Sequence, residues 1–309
     1  MARAARVKSE DGSGWYHLCA RTAGVQGEYP LASRRYRRKM LDVIERYASV
    51  YCCRVAGFCV MGNHYHLVVF FEERRAMSPR ELRERASRLY PAKDLDAWPA
   101  HKWERFERRL FDVSELMRNV QGAYARWFNS RHERRGRFWA ERFKSTLLED
   151  ALAVLDCLLY IELNPVRAGL VERPEEYDGS SLHLREVKAD AWLVPLGELV
   201  GVERRGAALR DYRGRVYYRG LAGTSEAHAS IPRRVVREEE ARGFATRGVF
   251  TKRLRHFADG LALGSEEFIA RQLERMREQG RYLRRCNPIP QLDGAHATLR
   301  EQRSNAAAF

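Results

Sequence analysis

Residues 58–71 read Phe-Cys-Val-Met-Gly-Asn-His-Tyr-His-Leu-Val-Val-Phe-Phe, and this stretch decides the fold prediction. Its apolar, β-branched and aromatic residues are typical of strands, and Gly62 with Asn63 predicts a tight turn between two of them. Side chains alternate between the faces of a strand, so His64 and His66 should point one way and Tyr65 the other. Two imidazoles on one face can bind a divalent metal if a third ligand comes from elsewhere in the chain.

A His-x-His pair in a strand does not by itself define a metal site. Such a pair arises by chance, and the rings then only form hydrogen bonds on a half-buried face. A zinc ion in a three-histidine hydrolytic site is a further interpretation of the same pair. The pair alone therefore leaves the choice open.

The composition describes a folded and strongly basic chain. It has 309 residues, of which 45% are hydrophobic, enough for one large or two ordinary domains. The 56 Lys and Arg residues outnumber the 41 Asp and Glu residues, and the net charge is +15. This balance favours a polyanionic partner, most often nucleic acid, although solvated arginines on an ordinary soluble protein would give the same count.

Cysteine usage and hydropathy give expectations about location. The six cysteines show no Cys-x-x-Cys spacing, and the adjacent Cys52 and Cys53 suit no ordinary bridge, so we expect reduced thiols in a cytoplasmic protein. No apolar stretch approaches the ~20 residues that span a bilayer, and no membrane partner is expected. The basic N-terminus lacks the apolar region of a signal peptide.

The order of predicted elements indicates an α+β fold. Hydrophobic periodicity predicts strands over residues 15–22, 51–60, 64–71 and 138–148. It predicts helices over residues 33–48, 114–131 and 149–164. Ser114 is the expected cap of the second helix, and Pro165 is expected to close the third. The order β-α-β-β-α-β-α matches a ferredoxin-like antiparallel sheet with helices packed on one face, and residues 73–113 form a surface insertion.

The sequence changes character after about residue 183, where we place a domain boundary. Residues 184–309 form a predicted accessory region that is mostly helical, with helical segments over 192–202 and 238–278. Residues from about 287 carry little periodicity and are expected to form a mobile tail. The predicted organisation is an α+β domain over residues 1–183, followed by a C-terminal extension of unknown role.

The third predicted helix carries polar residues that could complete a site. Residues four apart share a helix face, so Tyr160 and Asn164 should project together, with Asp156 one turn earlier. A neighbouring stripe of leucines is expected to dock on the sheet, which leaves Tyr160 at the edge of the buried face. A tyrosine at such an edge is more often a packing residue than a nucleophile.

Three sequence blocks, in this order, resemble the single-tyrosine HUH transposases, and most closely the REP-associated tyrosine transposases. The first is MGNHYHL at residues 61–67. The second begins at Gln121 and includes YARWFN at 124–129 and RGRFWAERFKS at 135–145. The third is YIELNPVRAGL at 160–170. The region of resemblance extends from residue 15 to about 183, with Gly62 standing where relatives usually carry proline.

The resemblance implies a transposase, that is, a metal-dependent endonuclease and strand transferase for single-stranded DNA. In this family two histidines and a polar residue one turn after the tyrosine bind Mg²⁺ or Mn²⁺, and these map onto His64, His66 and Asn164. The tyrosine maps onto Tyr160, and its attack on DNA leaves a 5′-phosphotyrosine link and a free 3′-hydroxyl. The implied partner is single-stranded DNA with repeat hairpins (REP elements), in the cytoplasm at the nucleoid. The family includes monomers and dimers, so a homodimer stays open.

The chemistry of these residue types fits the implied reaction. A metal ion stabilises the charge that develops when a phosphodiester is attacked. A tyrosine hydroxyl, with a pKa near ~10, needs positioning and assistance before it acts as a nucleophile. Two imidazoles and an amide oxygen suit Mg²⁺ or Mn²⁺, although imidazoles also accept zinc.

Two basic segments are the predicted DNA contacts, with cations for the phosphates and aromatic rings for unpaired bases. The predicted residues are Arg34, Arg35, Arg37, Arg38, Lys39, Arg137, Trp139, Arg142 and Lys144. Solvated charges and core aromatics would produce the same pattern. Two alternatives to the transposase remain for the whole chain: a non-catalytic regulator that binds DNA hairpins, and a zinc-dependent hydrolase.

Overall fold

A computed structural model describes residues 7–9, 12–24, 27–221, 229–243, 260–279, 286–290 and 297–301. Its strands are β1 (Gly14–Arg21), β2 (Cys53–Val60), β3 (His64–Phe71), β4 (Lys144–Leu148), β5 (Gly260–Gly264), β6 (Cys286–Pro290) and β7 (Ala297–Glu301). They form one sheet in the order β2-β3-β1-β4-β5-β7-β6. Helices pack against this sheet, and the predicted α+β class is confirmed.

Helices lie between the first four strands and after them. They are α1 (Arg34–Ala48), α2 (Pro79–Ser87), α3 (Ala92–Asp96), α4 (Ala100–Leu110), α5 (Val113–Arg131), α6 (Ala151–Glu162) and α7 (Asn164–Arg167). The later ones are α8 (Ser181–Glu186), α9 (Leu196–Val200), α10 (Arg205–Leu221), α11 (Arg233–Ala241) and α12 (Glu266–Glu278). The helices α2 to α4 form the predicted insertion, which has a small cluster of its own around Trp98 and Leu95. No helix in the described parts of the chain is long and apolar enough to cross a bilayer.

Both faces of the sheet are covered, which corrects the prediction of helices on one face. Tyr65 and Leu67 of β3 belong to the core that contains the apolar residues of α1 and α5. Val68 belongs to a second core, which contains the apolar residues of α6 and α10. Apolar side chains therefore occupy both faces of β3, and each face needs a covering layer.

The register of the central strands determines which side chains share the second face. β1 lies between β3 and β4 and pairs antiparallel with both. Cys19 stands opposite His66, and Arg21 stands opposite His64. On the other side of β1, His17 stands opposite Thr146. Residues two apart share a face, so His17, Arg21, His64 and His66 all lie on the face that α6 covers.

Three predicted boundaries are wrong in detail. Asp112 rather than Ser114 caps α5, because its carboxylate accepts a hydrogen bond from the backbone N–H of Ser114 at 2.6 Å. The fourth strand is limited to Lys144–Leu148, and residues 138–143 precede it as irregular chain that carries buried aromatics. Pro165 does not close the third helix; α6 ends at Glu162, and Pro165 lies in the first turn of α7, where a proline fits.

The C-terminal region contributes strands as well as helices, which the sequence pattern did not indicate. The helix predicted over 238–278 is instead α11, strand β5 and α12, with residues 244–259 outside the described part. The segment predicted over 192–202 is helical only in α9. β5 pairs parallel with β4, while β6 and β7 pair antiparallel beyond it. The predicted tail from about 287 thus includes strand residues, and its other residues lie outside the described ranges.

Candidate active site

Two imidazoles of β3 lie side by side on the face beneath α6. The ring centroids of His64 and His66 are 5.1 Å apart, and their planes are nearly perpendicular, at 89°. His66 is only 2% exposed, whereas His64 is half-buried near the end of the sheet. The shared face that strand alternation predicted is therefore present.

Helix α6 brings Tyr160 over these rings. The ring centroid of Tyr160 lies 5.9 Å from that of His66, at an interplanar angle of 86°. Most of α6 is buried between the sheet and α10, but Tyr160 is half-buried at its C-terminal end. The tyrosine is thus held by packing, and residues far apart in sequence meet in one cluster.

A third imidazole, which sequence reasoning missed, completes the cluster. Nε2 of His17 lies 2.9 Å from Nδ1 of His66, and the two ring planes are nearly parallel, at 16° with centroids 5.1 Å apart. His17 also meets the ring of Tyr160 edge-on at 6.4 Å. The only signal in the sequence is the alternating pattern of β1, and placing His17 beside His66 requires the β1–β3 register as well.

Burial keeps the candidate ligands neutral. It lowers the pKa of His64 to about 4, with a smaller contribution from the positive charge of Arg21. Burial also holds the pKa of His66 well below its usual range, and the neighbouring His17 and His64 add to the effect. A neutral imidazole keeps a lone pair on one nitrogen, which is the form that binds a metal ion.

The side chains predicted as ligands are chemically suited to a metal such as Mg²⁺ or Mn²⁺. Nδ1 of His64 lies 2.8 Å from Oδ1 of Asn63, and since an amide oxygen only accepts, Nδ1 donates and Nε2 keeps its lone pair. Asn164 begins α7, and its amide Nδ2 is buried without a hydrogen-bond partner among the described residues. Within the same residues, no cluster of three or more His, Cys, Asp or Glu forms a metal site. An amide oxygen would therefore have to supplement the imidazoles.

Two guanidinium groups flank the cluster. The guanidinium carbon of Arg167 lies 5.2 Å from the ring centroid of Tyr160, and its Nη1 donates to the Tyr160 carbonyl oxygen at 3.2 Å. Arg21 is exposed on β1 directly opposite His64. Positive charge next to Tyr160 and next to His64 favours an anionic group close to them.

The predicted DNA contacts on α1 divide into exposed and structural residues. Arg34, Arg35 and Arg38 are exposed. The side chain of Arg37 is only 14% exposed, because it pairs with Asp178 at 2.6 Å and lies over the ring of Tyr177. Lys39 is half-buried with its ammonium 5.8 Å from the centroid of the Trp127 ring.

The predicted DNA contacts within residues 137–144, before and in β4, also divide into exposed and structural residues. Arg137 and Arg142 are exposed. The indole N–H of Trp139 donates to the Gln121 carbonyl at 2.9 Å, and its ring packs against Tyr65. Lys144 is half-buried at the start of β4. The two exposed arginines are accessible to phosphates, whereas Trp139 is half-buried and packs against the core.

Comparison with known proteins gives a distant structural likeness. No family profile matches the chain, and no curated protein matches its sequence. The chain is similar to a solved structure described as a REP-associated tyrosine transposase bound to a REP hairpin. The two are 13% identical, the match covers 61% of this chain and 87% of the other, and the TM-score is 0.38. At that level of similarity, the function has to follow from the residues of the site.

Proposed function

We propose that the protein is a metal-dependent endonuclease and strand transferase for single-stranded DNA, with Tyr160 as the nucleophile. The observation that carries the proposal is the meeting of Tyr160 with the imidazoles, at 5.9 Å between its ring centroid and that of His66. A nucleophile from α6 and neutral metal-ligand side chains from β3 converge on one face of the sheet. This combination is what attack on a phosphodiester requires.

His64, His66 and Asn164 would hold the divalent ion, Mg²⁺ or Mn²⁺. His64 offers Nε2, because its Nδ1 is engaged by Asn63. When bound, the ion would polarise a phosphate oxygen and stabilise the charge that develops during attack. Asn164 would bind the ion through its amide oxygen Oδ1, because the amide nitrogen Nδ2 carries only N–H donors.

The chain's own residues account for the reaction. The hydroxyl oxygen of Tyr160 attacks the phosphorus, so that an O–P bond to tyrosine forms and the bond to the 3′ oxygen breaks. The phenolic proton ends on the released 3′-hydroxyl, and the DNA stays attached through a 5′-phosphotyrosine. Because one phosphodiester replaces another, a 3′-hydroxyl can reverse the step and join strands without external energy. Arg167 restrains the tyrosine ring and lowers the cost of negative charge on it.

The charge distribution supports a DNA partner that carries hairpins. Exposed cations for the phosphates are Arg34, Arg35, Arg38, Arg137 and Arg142. Together with the net charge of +15, they favour binding that weakens steeply with salt. A homodimer is compatible with this site and stays open. We place this activity in the cytoplasm, at the nucleoid.

The deciding experiment is a search for the covalent intermediate. Wild-type protein is incubated with single-stranded, hairpin-forming oligonucleotides and Mn²⁺, and a denaturing gel separates any protein–DNA adduct. After nuclease digestion, mass spectrometry should find a nucleotide phosphate on the peptide that contains Tyr160. Tyr160→Phe should lose the adduct but keep hairpin binding, whereas Tyr90→Phe, a change of an exposed tyrosine in the insertion, should keep both.

The alternatives give different results. Cleavage that survives Tyr160→Phe without an adduct would indicate the metal hydrolase. Hairpin binding with neither cleavage nor adduct would indicate the non-catalytic regulator. A three-histidine zinc site is the less favoured arrangement, since Nε2 of His17 faces Nδ1 of His66 at hydrogen-bond distance instead of facing a shared ion.

A further inference from the structure

The contact between His17 and His66 is a buried hydrogen bond between two imidazoles. The nitrogens are 2.9 Å apart, and the side chains are 1% and 2% exposed. Such a bond needs one N–H donor and one lone-pair acceptor. Because water does not reach the pair, the two rings have to satisfy each other at these atoms.

Two tautomeric arrangements satisfy this bond, and they have opposite consequences. A neutral imidazole carries one N–H. If Nδ1 of His66 donates, its Nε2 is left with a lone pair that can bind a metal ion. If Nε2 of His17 donates instead, the lone pair on Nδ1 of His66 is used and the proton of His66 sits on Nε2. His66 then has no nitrogen free for a metal.

His64 shows the first arrangement on the other candidate ligand. Its Nδ1 lies 2.8 Å from Oδ1 of Asn63, which can only accept, so the proton of His64 is on Nδ1. Metal-binding histidines commonly donate their second ring N–H to such an outer partner, which fixes the tautomer and the ring orientation. Asn63 has this position for His64, and His17 has the equivalent position for His66.

We infer that His17 is a positioning residue, which accepts a hydrogen bond from Nδ1 of His66 and so presents Nε2 of His66 to the metal ion. The inference rests on the proposed function, because it assigns His17 a task in the same metal site. The two ring planes are nearly parallel, at 16° with centroids 5.1 Å apart, so the hydrogen bond runs close to the plane of both rings. In this role His17 does not bind the metal ion itself, and it does more than fill space in the core.

The first test reads the tautomer directly in the wild-type protein. In protein labelled with ¹⁵N-histidine, protonated and unprotonated ring nitrogens have distinct chemical shifts. We expect His66 to carry its proton on Nδ1 and His17 to have an unprotonated Nε2, with the ring signals assigned in the wild-type protein through bonds to the backbone of each histidine. A proton on Nε2 of His66 would overturn the inference, and this measurement requires no variant to fold.

The second test measures Mn²⁺ affinity by titration calorimetry, without reference to DNA cleavage. His17→Leu fills space but cannot accept a hydrogen bond, and we expect its affinity to fall about 10–100-fold. His17→Gln places an amide oxygen near the position of Nε2, and we expect its affinity to stay within about threefold of wild type. Far-UV circular dichroism of the metal-free variants tests whether each has folded.

Each outcome separates this inference from the proposed function. Wild-type affinity in His17→Leu would refute the positioning role while leaving the metal site intact. An equal, large loss in His17→Leu and His17→Gln would also refute it, because hydrogen-bond acceptance would then not be what matters. Absence of Mn²⁺ binding by the wild-type protein would instead contradict the proposed function itself.

Discussion

Replacing Arg219 with methionine should destabilise the fold by about 3–5 kcal/mol, because it leaves the carboxylate of Asp156 buried without its cation. Nη1 of Arg219 lies 3.7 Å from Oδ1 of Asp156, and the two side chains are only 4% and 5% exposed. At this depth the carboxylate cannot recover its hydration while the protein stays folded. Methionine retains an apolar stem of similar length, so the loss reports the missing charge more than a cavity.

A double variant separates the charge from the other contacts of the pair. Asp156→Asn combined with Arg219→Met removes both charges, and the remaining cost is that of altered hydrogen bonds, about 1 kcal/mol. The double variant should therefore be about 2–4 kcal/mol more stable than Arg219→Met alone. Asp156 lies on α6 one turn before Tyr160 and Arg219 lies on α10, so this difference reports the cost of an unpaired carboxylate where the tyrosine helix packs on the C-terminal region.

Urea denaturation, followed by tryptophan fluorescence and far-UV circular dichroism, gives the free energies of unfolding. Arg210→Met is the matched control, since Arg210 is exposed on the same helix and its loss should change stability by less than about 0.5 kcal/mol. The reasoning is refuted if Arg219→Met is as stable as Arg210→Met. It is also refuted if the double variant is no more stable than Arg219→Met.

Substitutions at four further positions test other parts of the structure. Asp112→Ala should cost about 1 kcal/mol of stability at neutral pH in urea denaturation, whereas Asp112→Asn keeps a capping oxygen and should lose less. Burial opposes ionisation of Asp112, but Lys8 and the backbone N–H groups outweigh this effect and lower the pKa of its carboxyl. The ionised carboxylate therefore stabilises the fold at pH values above its unfolded-state pKa. This stabilisation is lost as the pH falls through the folded-state pKa. Gly57→Ala should lower the melting temperature, because the new Cβ would lie 2.6 Å from Cδ2 of Leu158. The expected loss in the free energy of unfolding is about 1–3 kcal/mol. An unchanged melting temperature would contradict this contact. Arg35→Ala should weaken hairpin binding and reduce the salt dependence of that binding without loss of stability. Arg37→Ala should instead lower the stability of the fold, because it removes the ion pair with Asp178. Equal effects of the two variants on hairpin binding would contradict the division of α1 into exposed and structural cations.

The central strands and the shared face of the two histidines could be predicted because the necessary information is local. Strand alternation alone places His64 and His66 on one face, and the apolar run of β3 identifies a buried strand. Helical spacing likewise places Tyr160 at the edge of the buried face of α6. The distance between the tyrosine and the histidines depends on how α6 packs on the sheet, which only the folded structure supplies.

The features that escaped prediction depend on contacts between distant segments. His17 meets His66 only through the register between β1 and β3. Arg37 resembles its basic neighbours in sequence, but its pair with Asp178 makes it structural. The segment Gly260–Gly264 is short and apolar, so periodicity cannot tell a buried strand from part of a helix, and its partner β4 decides the outcome.

The parallel pairing of β4 with β5 has a consequence during protein synthesis. Leu147 and Leu148 pair with Ala262 and Leu263, which leave the ribosome about 115 residues later. At about 5–20 residues per second, the outer edge of β4 stays unpaired for roughly 6–23 s in the nascent chain. An open edge strand is a template for pairing with another chain, and neighbouring ribosomes on one message supply such chains at high local concentration. Translation speed between these two strands should therefore influence how much of the protein reaches its native state instead of aggregating.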